Sequence, residues 1–282
     1  GGLVKGYATG AVGGANSTVT GNKVTVTGGT VKKNISGGQS SGANGKVTGN
    51  TVAIMDSSTV EGIVNGGHMT GDGTASGNEV TISGSTIKQS VNGGYSSASG
   101  TVTGNTITVS GSSTLEKAVY GGYADTTGTV TGNIVNISDG TFQKRVYGGY
   151  SDKSGTVTGN KVTITGGTFD ADENLYGGYA DAQSTDANAT AKANSNRLAF
   201  TTGAKAQLLG GRADAKADGI VTVEANDNEL TAKAKADSFA GGYVLGMQTA
   251  GGAAVQRSTA AANRNRVKVL EGSGEFVYSC AG

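Results

Sequence analysis

Four aspartates, Asp125, Asp152, Asp181 and Asp214, each stand four residues after the first glycine of a Gly–Gly pair. In a chain that repeats, residues in equivalent positions stack, and carboxylates about 5 Å apart repel one another unless a cation or a basic side chain intervenes. Ca²⁺ is the ion such a row can hold, because carboxylate oxygens are its usual ligands. The plainer reading is a solvated loop edge balanced by Lys153 and neighbouring bases. Tyr95, Tyr123, Tyr150 and Tyr179 form a second row just after the Gly pairs, with Tyr7 and Tyr243 in the same slot. Tyr120, Tyr147, Tyr176 and Tyr278 flank the pairs on the other side. Aromatic rows can take up a sugar or a protein partner. Their more ordinary use is to shield a glycine corner that has no side chain of its own.

Other chemistry has little to work with. His68 is the single histidine, so a catalytic triad or a His-rich metal site cannot draw on a second one. It stands in the slot of the tyrosine row, which Gln39 and Arg212 also occupy. Cys280 is the one cysteine and replaces a glycine of the pattern. Asp170-x-Asp172-Glu173-Asn174 imitates the start of an EF-hand loop, but the required glycine at the sixth position is missing. Asn-x-Ser/Thr triplets stand at Asn16, Asn34, Asn136 and Asn188, and little is read from them. Twenty-two basic against 21 acidic residues give no electrostatic footprint for nucleic acid or an anionic membrane. No apolar run approaches a membrane-spanning length, so direct membrane insertion by this segment is not expected. The reading is a non-enzyme with no cofactor.

The elements that place these rows are set by nine asparagines: Asn22, Asn50, Asn78, Asn105, Asn133, Asn160, Asn196, Asn228 and Asn265. The first five steps are 28, 28, 27, 28 and 27 residues, a period that marks one supersecondary unit stacked many times. Two and four positions after each Asn come apolar residues with polar ones between, as in Val135 and Ile137, the pattern of a half-buried strand. Further apolar columns run through Val19, Val47, Val102 and Val130, through Val31, Val60, Leu115 and Phe142, and through Ile35, Val64, Val119, Phe239 and Val277. A glycine precedes each of the first six Asn residues, and Gly pairs from 37–38 to 241–242 read as further corners. Three or four short strands per repeat make one turn of a solenoid, with successive turns paired in parallel about 4.8 Å apart. The expected fold is therefore an all-β parallel β-helix of about 27–28 residues per coil and nine to ten coils, in which the Asn column becomes a ladder of stacked amides. Collagen-like order fails because there is no Pro and the 51 Gly follow the coil spacing.

Residues 1–180 keep a tight period, whereas from Asp181 the steps lengthen to 36, 32 and 37. There the segments ATAKANSN, ADAKADG and AKAKAD read as long loops, and Asn194, Asn226 and Asn263 join the pattern two residues before the ladder Asn. The whole of 1–282 reads as a single β-helix cut from a longer protein. Its opening LVKGYA copies the GGYA segment of later coils.

Runs such as VYGGYADTTGTVTGNIVNISDGTF (119–142) and VYGGYSDKSGTVTGNKVTITGGTF (146–169) resemble the repeats of type V secreted autotransporter passengers and related haemagglutinin-like adhesins. The likeness is close over 1–180 and loose beyond. It implies a right-handed β-helix displayed outside a Gram-negative cell, working as a stalk or in adhesion. Extracellular or bacterial cell-surface localisation follows from it. The expected partners are a host or neighbouring-cell surface protein or glycan, or a second copy of the chain. Two other readings are a self-assembling filament subunit and a carbohydrate-active enzyme on the same scaffold; the latter needs a convergent acid/base group that the sequence does not display.

Overall fold

The computed structural model describes residues 2–170, 172–183, 189–201, 207–217, 220–233, 238–248, 259–270 and 279–280. Asn188, Val277 and Tyr278 lie outside them, as do the side chains of Phe239 and Cys280; the Cys280 backbone pairs with Ala240, one position before the Gly pair, and so does not stand in a glycine slot. The described residues form strands, turns and bends only, in four parallel sheets running the length of the molecule. Sheet 1 stacks seven two-residue strands, from Leu3–Val4 to Thr168–Phe169. Sheet 2 holds the Gly pairs and runs through Ile35–Ser40, Val119–Ala124 and Gln207–Ala217. Sheet 3 carries Gly45–Thr48 and its equivalents, and sheet 4 carries Thr51–Met55 and its equivalents. Like lies over like: Val135 is in register with Ile107 and Val162, and Tyr123 with Tyr95 and Tyr150. The chain is thus a parallel β-solenoid.

It makes about eight turns rather than nine to ten. An Asn marks one corner and not a closed turn, and the first and last rungs hold strands of only some sheets.

The apolar columns enclose two adjoining cores. The larger is filled by Val135, Ile137, Leu115, Phe142 and Val119 with their equivalents, from sheets 1 and 4 and the first half of sheet 2. The smaller lies between sheet 3 and the second half of sheet 2, and contains Val102, Val130, Ala124 and Ala180. Between the two runs the Asn column, fully buried from Asn50 to Asn228.

Three expectations change. The Gly pairs are not corners between strands but bends inside the six-residue strands of sheet 2. Gly121 falls out of the pairing register while Val119, Tyr120, Gly122 and Tyr123 keep it. The pair is glycine because of close approach. A Cβ on Gly121 would overlap the carbonyl oxygen of Gly148 in the next coil, and one on Gly122 would overlap the Asn133 amide. Second, ATAKAN and ADAKA are strands, not loops. Ala189, Ala191, Ala193, Ala213, Ala215 and Ala217 all point into the small core, with Lys192 and Asp214 outward. The longer steps are thereby partly absorbed as nine- and eleven-residue strands in sheet 2; residues 218–219 and 234–237 lie outside the described set. Third, LVKGYA does not copy GGYA. Ala8 pairs with Ile35 and Val12 with Gln39, so Gly10, not Gly6, meets the Gly37 carbonyl. That register places Val4 over the buried Val31 and leaves Tyr7 exposed and outside the tyrosine row.

Candidate functional site: the asparagine ladder and the tyrosine–aspartate ridge

The ladder is a chain of amide hydrogen bonds along the solenoid axis. Asn133 Nδ2 donates to Asn160 Oδ1 at 2.9 Å and to the Val102 carbonyl at 3.1 Å. Its backbone N–H donates to the same Asn160 Oδ1 at 2.9 Å. Asn50, Asn78, Asn105, Asn160, Asn196 and Asn228 repeat this set, and Asn22 and Asn265 hold its outer rungs. Each buried Oδ1 thus accepts two bonds and each Nδ2 gives two, which removes the cost of a buried amide. The left-handed corner just before the Asn is glycine in the early coils, as at Gly132 (φ 63°). Ser195, Asp227 and Arg264 adopt it in the later ones, at φ 55°, 56° and 53°. Arg264 also holds Asp227 across coils at 2.6 Å.

On the outer face of sheet 2 the two tyrosine columns merge into one aromatic ridge. Tyr120 and Tyr147 stack at 4.9 Å with rings 2° from parallel, and Tyr147 and Tyr176 repeat this at 4.9 Å and 3°. Tyr95, Tyr123, Tyr150 and Tyr179 follow one another at 5.2–5.3 Å with rings tilted by 39–47°. The columns touch across the glycine bend, Tyr120 to Tyr123 at 4.8 Å. His68 extends the ridge at one end, 5.1 Å from Tyr95. Arg212 extends it at the other, 5.1 Å from the Tyr179 ring and 5.2 Å from the Tyr243 ring. The rings of the Tyr95–Tyr179 row are half-buried, so part of each stays open to solvent.

The four aspartates lie at the rim of this ridge. Tyr123 Oη donates to Asp125 at 2.8 Å, Tyr150 Oη to Asp152 at 3.1 Å, and Tyr179 Oη to Asp214 at 2.8 Å. Arg212 donates through Nε and Nη2 to Asp214, the shorter contact 2.6 Å. Arg212 is thus the basic side chain that balances Asp214, while Asp125 and Asp152 accept from phenols. Asp181 lies in register with Asp214, and burial, then the Asp214 charge, pushes its carboxyl above the ordinary value. A shallow recess of about 130 Å³ opens between Tyr179, Asp181, Asp214, Lys216 and Leu245. Among the described residues no three His, Cys, Asp or Glu side chains converge on a point where a metal could sit.

Burial pushes the Tyr120 phenol up to about 12. Tyr123, Tyr147, Tyr150 and Tyr179 are raised further by burial and then by neighbouring carboxylates and phenols, and Tyr95 is raised too. Burial lowers His68, which favours its neutral form.

Two features escaped the sequence reading. Asn65 and Asn92 make an amide pair of their own at 2.8 Å, next to the Gly pairs. Asn194, Asn226 and Asn263 form a short ladder in which the Asn226 and Asn263 backbone N–H groups donate to the side-chain oxygens of Asn194 and Asn226 at 2.8 Å. The signal for the second was the Asn-x-Asn spacing, although its hydrogen bonds run from backbone to side chain. No helix among the described residues is long and apolar enough to cross a membrane. No protein-family model, curated protein or solved structure matches the chain.

Proposed function

We propose that the chain is a non-enzymatic structural rod with an adhesive lateral face, of the kind displayed outside a bacterial cell. One observation carries this reading: coil-on-coil register repeats the tyrosine ring edge and hydroxyl every ~4.8 Å along the ridge from Tyr95 to Tyr179, with an aspartate beside it from Tyr123 onward. A repeating row suits a partner that is itself extended, such as a surface glycan or a protein edge. Weak contacts at each rung then add by multivalency. The solenoid supplies rigidity, because its rungs are joined by sheet bonds on four columns and by the amide ladder inside. The localisation rests on the repeat resemblance.

The test is retention of whole cells and of extracellular-matrix proteins on beads coated with the chain, compared with Tyr123→Ala/Tyr150→Ala beads. Loss of retention in the double variant supports the ridge as the adhesive face. Equal retention by both, or turnover of a polysaccharide by the purified chain, overturns the reading. Immunolabelling of intact source cells tests the location directly.

A further inference from the structure

Beside the ridge, where the chain passes from sheet 1 to sheet 2, a groove of about 420 Å³ opens across adjacent coils. Its charged lining is Lys117, Lys144, Arg145 and Glu173, and its wall includes Tyr120 and Tyr147. The coil register stacks Leu115 on Phe142 and Val119 on Val146, so Lys117 lies one rung from Lys144, like charge over like charge. Glu173 engages both other cations, Lys144 at 2.7 Å and Arg145 at 3.2 Å. Among the described residues Lys117 has no ion pair. Three cations against one carboxylate leave the groove with two positive charges, on a chain whose net charge is only +1. The side chains of Lys144 and Arg145 are each about half exposed, at 50% and 49%, so both can reach a ligand without leaving Glu173. The adjacent column, one residue off this register, is differently built: Glu61, two coils before Glu116, lies between Lys32 at 2.5 Å and Lys88 at 3.5 Å, on a stretch without tyrosine walls.

We propose that this groove binds an acidic saccharide. A carboxylate or sulfate group would sit between Lys117 and the Lys144–Arg145 pair, and the sugar ring would lie against Tyr120, the less buried of the two tyrosines. An anion there meets the one lining cation that has no ion pair among the described residues, and charge-assisted hydrogen bonds to it are the strong kind. The volume lies within the range of small-ligand sites, about 300–1,000 Å³, and fits a sugar unit. A long polyanion such as a nucleic acid is disfavoured, because among the described residues the groove's cations span two coils and the adjoining ridge carries Asp125 and Asp152. The groove shares the Tyr120–Tyr147 column with the ridge but its cations lie outside it, so the Lys117 variants test the groove without touching the Tyr95–Tyr179 row.

The experiment is calorimetric titration of the folded chain at low salt with a chondroitin sulfate oligosaccharide, a polygalacturonate oligosaccharide, a neutral cello-oligosaccharide and a single-stranded oligonucleotide. At least one acidic sugar should bind, with the sulfated and uronate arms showing which acid group is preferred, and the neutral sugar should not. Lys117→Ala should weaken binding about tenfold, and Lys117→Glu should abolish it. Lys161→Ala, on the solvent face of sheet 4, should change nothing. Circular dichroism confirms that each variant is folded, and Lys117 is exposed enough for both to be. The proposal is overturned if neither acidic sugar binds, if Lys117→Glu binds as well as the parent, or if the oligonucleotide binds more tightly than both sugars.

Discussion

Asn133 has no exposure to solvent and uses both amide hydrogens and its carbonyl oxygen within the ladder. Truncating it strips a donor from Val102 and an acceptor from Asn105 in one step, and leaves polar groups buried without partners. Asn133→Ala should therefore lower stability by about 1–3 kcal/mol, read from urea unfolding. Asn22→Ala should cost clearly less, because Asn22 is an outer rung and part-exposed. Equal losses at the two sites would mean that the ladder is not the source. The acidic row makes a different prediction. Asp125, Asp152 and Asp214 are each occupied by a phenol donor, so Ca²⁺ should leave Tm unchanged, whereas a true site would raise it by mass action. Asp181 has a folded pKa above its unfolded one, so the folded chain holds that proton more tightly. Its ionised form then opposes folding at neutral pH, and the handicap fades as pH falls through the folded value. Asp181→Asn should accordingly stabilise the chain at pH 7, with the gain shrinking on acidification. A gain that grows toward low pH would contradict the assigned shift.

The strands of sheet 2 show how much of the architecture was legible in the sequence. Alternating Val and Ile after each Asn gave sheet 4 and the inward columns directly, because β-branched alternation has one physical meaning. The Gly pairs were visible, but their role was not. Glycine serves both for left-handed turns and for close approach, and only the distance from Gly121 to the next coil separates the two. Ala191 and Ala215 were lost among loops because alanine is a poor strand former; inside a narrow core its small size matters more than its propensity. The groove at Lys117 needed three coils superposed before its charges met. The two uses of glycine predict different costs. Gly148→Ala must push its Cβ into the Gly177 carbonyl, and backbone overlap has no rotamer that escapes it. Gly132→Ala finds open space and meets only the strain of φ 63°, about 1–2 kcal/mol. Thermal unfolding should therefore show Gly148→Ala as the more damaging change, and Gly132→Asn as milder than Gly132→Ala, since Asn tolerates the left-handed region. Reversal of the first order would return the pair to the role of simple corners.

Across the whole molecule the ridge couples coils through their phenols, and this couples stability to alkaline pH. Tyr95, Tyr120, Tyr123, Tyr147, Tyr150 and Tyr179 all have pKa values raised above 10.0 in the folded chain. A raised phenol pKa means that the folded state holds the proton more tightly. The associated stability is fully present below pH 10 and drains away as pH climbs past the unfolded value toward the folded ones. Because neighbouring rings lie about 5 Å apart and carboxylates receive several of the hydroxyls, each phenolate formed makes the next harder to form in place. Opening the ridge relieves all of them together. The expected result is a delayed, steep rise in phenolate absorbance above pH 10 that coincides with loss of the β-sheet circular dichroism signal. Removing one phenol from the middle of the row, as in Tyr150→Phe, keeps the packing but deletes a proton that must be lost, and should shift that midpoint upward. A gradual titration centred near pH 10 while the β signal persists would show that the phenols ionise individually on an intact rod, and the ridge would then have no part in holding the coils together.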